Sequence, residues 1–61
     1  MNDWKDYNIE KPNKSDIYKI KAKAPYETID AAYYNAHDDR WIEDDGWWLP
    51  VDITSSVTHW R

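Results

Sequence analysis

The chain has 61 residues, a net charge of −4 and a pI near 4.8, with five Trp, five Tyr, one Gly and neither Cys nor Phe. That length admits one domain with one small core, and the lack of cysteine excludes a disulfide scaffold and favours a cytoplasmic setting. The aromatic density argues against disorder, no apolar run approaches the roughly 20 residues of a membrane helix, and Met1–Asp6 has no signal-peptide character.

Residues 1–15 read as an extended or irregular segment that lays Trp4 on whatever follows, with Pro12-Asn13-Lys14-Ser15 as a turn. Asp16–Ala24 alternates in period two, placing Tyr18, Ile20, Ala22 and Ala24 on one face and Lys19, Lys21 and Lys23 on the other. Thr28–Ala36 is a second strand, with Ile29, Ala31 and Tyr33 expected inside. Joined by a loop at 25–28, the pair places Ala24 opposite Ile29, Ala22 opposite Ala31 and Ile20 opposite Tyr33. On the wet face Lys23 meets Asp30 and Lys19 meets Tyr34, an apolar-in, charge-paired-out register. His37-Asp38-Asp39 is a turn, Arg40-Trp41-Ile42 starts a third strand, and Glu43-Asp44-Asp45-Gly46 reverses the chain. Trp47-Trp48-Leu49 is apolar chain, Pro50 suits a sheet edge, and Ser55–Trp60 closes the sheet. The expected fold is mainly β (or a small α+β variant): one antiparallel sheet of three to four strands over 16–60. Trp41, Trp60, Tyr33, Ile20 and Ile29 should lie buried on one of its faces.

The spacing of Trp4, Pro12, the Tyr18–Ile20 strand, Ala32-Tyr33-Tyr34, Trp41 and a terminal Val57-Thr58-His59-Trp60 resembles domain of unknown function family 551, small proteins common in phages and prophages. The specific part is the last four residues and their distance from Trp41. Members usually continue beyond this segment with a Met-Pro-Leu-Pro-like tail, whereas Arg61 follows Trp60 here. The resemblance implies a phage origin and a small β fold, and no reaction.

Charge is uneven. Residues 1–26 hold six Lys against four acids, +2; residues 27–61 hold two Arg against eight acids, −6. An acidic chain is the reverse of a phosphate-binding surface, so direct nucleic-acid binding is not expected. Asp38, Asp39, Glu43, Asp44 and Asp45 form the densest acid cluster, but their spacing about Gly46 does not match a calcium loop, so no metal is expected. Solvated turns are the simpler account, and mimicry of nucleic acid towards a nucleic-acid enzyme is the sharper one. His59 without a nucleophile motif reads as structural, so the protein is expected to be no enzyme and to need no cofactor. Trp47 and Trp48 are adjacent, so in a strand they point to opposite faces, and one of them is left at an edge, under the N-terminal segment, or exposed for an interface. Trp47, Trp48, Tyr34, Asp38, Asp39, Glu43, Asp44 and Asp45 are therefore the candidate binding residues. The function expected from them is non-enzymatic binding, in a phage or prophage accessory protein, to a host or phage protein bearing a basic patch, which it would inhibit. A module binding a small ligand in an aromatic pocket is the alternative. Homodimerisation is an open route to extra burial in so small a chain.

Overall fold

Alternating β-forming runs separated by turn chemistry fold into strands: β1 (Lys5–Asp6), β2 (Asp16–Ala22), β3 (Ala31–Asn35), β4 (Arg40–Glu43), β5 (Val51–Asp52) and β6 (Val57–Trp60). The computed structural model describes residues 3–43 and 49–61. Among these residues the strands form one antiparallel sheet in the order β1-β6-β2-β3-β4-β5. The mainly β class stands, with six strands in place of three or four. The additional strands are the two-residue edges β1 and β5, too short to show a period in sequence. Part of the supposedly irregular N-terminal segment thus belongs to the sheet, because Lys5 and Asp6 pair with Trp60 and His59.

The alternation of β2 is as expected: Ile20 is buried, and Tyr18 and Ala22 pack half-buried against the core. The hairpin register is not. Lys19 lies opposite Ala31 and Ile17 opposite Tyr33, three residues from the expected pairing. The link is residues 23–30, tied by two successive turns in which Tyr26 N–H donates to Lys23 C=O and Ile29 N–H to Tyr26 C=O. A shift by an odd number turns a strand over. Ala32 and Tyr34 therefore enter the core, while Tyr33, expected inside, is 44% exposed; Ile29 sits in the loop, partly buried against the core.

The sheet must curl. In a flat sheet β1 and β4 would lie four strand spacings apart, about 19 Å. Yet Tyr7, next to β1, meets the Trp41 ring of β4 edge-on at 5.7 Å between centroids. The link from β5 to β6 agrees, because Ser56 and Val57 N–H both reach back to Ile53 C=O, a tight turn that spans little distance. One source of curvature is a bulge in β6: Lys21 pairs with His59 but Ala22 pairs with Val57, leaving Thr58 as the extra residue. The concave side holds the core of Tyr7, Ile20, Ala32, Tyr34, Trp41, Ile53, Val57 and Trp60. Trp41 lies at its centre, fully buried. Tyr7, Tyr18 and Tyr34 ring it at 4.7–6.0 Å, and Tyr18 continues to Trp60 at 5.1 Å. Such tilted and edge-to-face pairs each add about 0.5–1.5 kcal/mol beyond area burial. The Trp60 indole N–H donates to Glu10 C=O at 2.7 Å, tying the segment after β1 across the concave mouth.

Candidate functional site

Each strand presents alternate residues to two faces, so the structure offers two places for function: the stitched mouth of the concave side and the open convex side. At the mouth, Asp39 ends the turn before β4 with φ 56°, a left-handed conformation that Asp tolerates better than most residues. Its Oδ1 accepts the hydroxyls of Tyr7 at 2.6 Å and Tyr34 at 2.5 Å, and its Oδ2 accepts the Lys11 ammonium. One carboxylate thereby joins the chain beyond β1 to β3 and holds the curl shut. The Lys11 contact, then the tyrosine hydroxyls, depress the Asp39 pKa to about 2. Burial first, and then the Asp39 charge, push the Tyr34 phenol up to about 12 and raise Tyr7 further. Neutral phenols donating to a fixed carboxylate form a structural clamp. Both phenols keep their protons near neutral pH.

The convex face carries a different pattern. Ile17, Tyr33 and Ile42 stand in one cross-strand row over β2, β3 and β4, and Asp52 of β5 continues it. Ile17 is 69% exposed, and Ile42 is half-buried. Arg40 lies beside this row and reaches Asp52 at 3.8 Å. Asp52 also accepts the hydroxyl and amide of Thr54, which, more than Arg40, lower its pKa. Towards β6 the character turns basic. The Lys21 ammonium and the Arg61 guanidinium lie 4.8 and 4.5 Å from the Trp4 ring centroid, and Arg61 donates to Asp3 at 2.8 Å. A shallow notch of about 310 Å³ opens there, lined by Trp4, Lys19, Ile20, Asp30, Ala31 and Arg61.

The expected binding residues are not brought together. Tyr34, expected on the wet face, is 2% exposed, because the register shift points it into the core. Asp39 is committed to its clamp, whereas Asp38 stays exposed in the turn, accepting from Asn35 Nδ2 at 3.2 Å. Glu43 ends β4, half-buried, opposite Val51. Trp47, Trp48, Asp44 and Asp45 lie outside the described residues. The cross-strand neighbours of His59 are Lys21 and Asp6, and its Nδ1 lies 2.9 Å from the Thr58 hydroxyl. Among the described residues no three acidic or imidazole side chains cluster to hold a metal ion, and no helix is long and apolar enough to cross a membrane. Sequence reasoning missed Ile17, Tyr33 and Trp4 as surface features. The available signal was the odd apolar Ile17 on the lysine-bearing face of β2.

No protein family matches the chain, and neither a curated protein nor a solved structure is significantly similar to it.

Proposed function

We propose that this is a non-enzymatic binding protein that docks a partner protein on the convex face of its sheet. The observation that carries the reading is the row Ile17–Tyr33–Ile42, apolar side chains in register on a face that no second layer covers among the described residues. Two exposed apolar side chains, continued by the half-buried Ile42, cost solubility unless something covers them. Tyr at the centre of such a row is a frequent binding anchor. Among the described residues Asp38, Glu43 and Asp52 lie on or beside β4 and β5 with Arg40 as their cation, and residues 27–61 carry −6 in total. The partner that fits is a protein with an apolar spot beside a basic patch, approached faster at low salt. The resemblance of Val57-Thr58-His59-Trp60 supports a phage or prophage setting, and inhibition of a host or phage protein is the outcome proposed for such docking.

The test is capture from bacterial lysate with the wild-type chain and with Ile17→Lys and Tyr33→Thr, followed by binding measurements on the purified partner. Both residues are exposed, so both variants should fold. The reading predicts a discrete partner whose affinity falls at least about tenfold in each variant, the loss of roughly 1.4 kcal/mol typical of an anchor. A partner held equally by all three proteins would refute it, as would specific capture that survives both substitutions only through the acidic turns.

A further inference from the structure

The basic notch beside Trp4 has features that a solvated lysine stripe lacks. One of its two cations is held in place: Arg61 lies between the Trp4 ring and the Asp3 carboxylate, while Lys21, next to the notch, lies over the same ring. Arg61 is also fixed through its backbone, since its N–H donates to Lys19 C=O at 2.9 Å and Lys19 N–H returns the bond at 3.1 Å. Lys19 and Arg61 thus project side by side from adjacent strands. Across the notch stands Asp30, whose backbone carbonyl is bound by Ile20 N–H at 3.0 Å. Among the described residues neither the Lys19 ammonium nor the Asp30 carboxylate has an ion-pair partner, although both line the same cavity. A held Arg61 beside an unpaired Lys19 on one wall, an acceptor on the other and an aromatic flank specify a ligand with two poles.

We propose that this notch binds a small phosphate monoester on a hydroxyl- or amino-bearing body, the chemistry shared by nucleoside monophosphates and sugar phosphates. The phosphate would lie between Lys19 and Arg61, where charge-assisted bonds are strongest. Asp30 would accept hydroxyl or amine hydrogens from the body. The cavity of about 310 Å³ stands at the lower end of small-ligand sites, which fits one such molecule. This site is separate from the apolar row, and its existence does not depend on a protein partner.

The experiment is an amide and indole chemical-shift titration of the wild-type chain with adenosine 5′-monophosphate, glucose 6-phosphate, inorganic phosphate and adenosine. The proposal predicts saturable shifts at Lys19, Ala31, Arg61 and the Trp4 indole with at least one ester, at dissociation constants of about 0.05–2 mM. The nucleotide and sugar arms distinguish the two sources of the ester. Lys19→Ala and Arg61→Ala should each weaken the ester roughly fivefold or more, while Asp30→Ala, which removes the acceptor, should weaken the ester without weakening inorganic phosphate. Three results would overturn it: no saturable shift with either ester up to about 10 mM, shifts outside the notch, or inorganic phosphate binding as tightly as the esters.

Discussion

Replacing Asp39 with Asn tests the clamp that shuts the curled sheet. Asn also tolerates the φ of 56°, so the substitution removes charge without adding backbone strain. The carboxylate accepts three donors, and its pKa falls from 3.8 to about 2. By linkage that fall corresponds to roughly 2.4 kcal/mol if it were fully realised. The Asp39 side chain is 42% exposed and Lys11 53%, so solvent screens the ion pair. About 1 kcal/mol is the expected loss once that screening is applied. Asp39→Ala should cost more, about 2–4 kcal/mol, because it also strands two tyrosine hydroxyls and places an ordinary Cβ residue at positive φ. A folded pKa below the unfolded value stabilises fully above pH 3.8, and the contribution disappears as pH falls through about 2. Urea unfolding of wild type and Asp39→Asn from pH 7 to pH 2 is the assay. The gap should stay constant down to about pH 5 and then shrink towards zero. Equal stability at pH 7, or a gap unchanged at pH 2, would refute the clamp.

Absorbance titration should find the Tyr34 phenol ionising near pH 12 and Tyr7 later still, both moving towards ordinary values in Asp39→Asn. Because these phenols are raised on folding, the stability they contribute is present below pH 10 and lost as pH rises through about 12. Chemical denaturation should rank Trp60→Phe as costlier than Trp41→Phe by about 1 kcal/mol, although Trp41 is more deeply buried. The Trp60 indole N–H is bonded to Glu10 C=O, whereas the buried Trp41 N–H has no partner among the described residues, so its removal relieves a desolvated donor. Ile17→Lys should leave stability within about 0.5 kcal/mol of wild type, as expected of a surface site.

Local pattern carried the strands, and non-local contacts decided the rest. The lysine alternation of β2 marked its inner face, and Trp41, Trp60 and Ile20 are core residues as expected. Ala31-Ala32-Tyr33-Tyr34, by contrast, puts one Ala and one Tyr on each face whichever way the strand is turned. Composition cannot choose between the faces, and the 23–30 loop set the register that does. Asp39 looked like one member of an acidic run, because its partners Lys11 and Tyr7 lie 28 and 32 residues away in sequence. The basic notch was hidden similarly, since Trp4 and Arg61 come from opposite ends of the chain.

Site-specific photo-crosslinking in bacterial cells tests the docking face most directly. A benzophenone-bearing residue is placed in turn at Ile17, at Tyr33 and at the exposed loop position Glu27. The account predicts one and the same protein adduct from positions 17 and 33, and none from position 27. An adduct from Glu27 alone, or the absence of any adduct at both Ile17 and Tyr33, would contradict it.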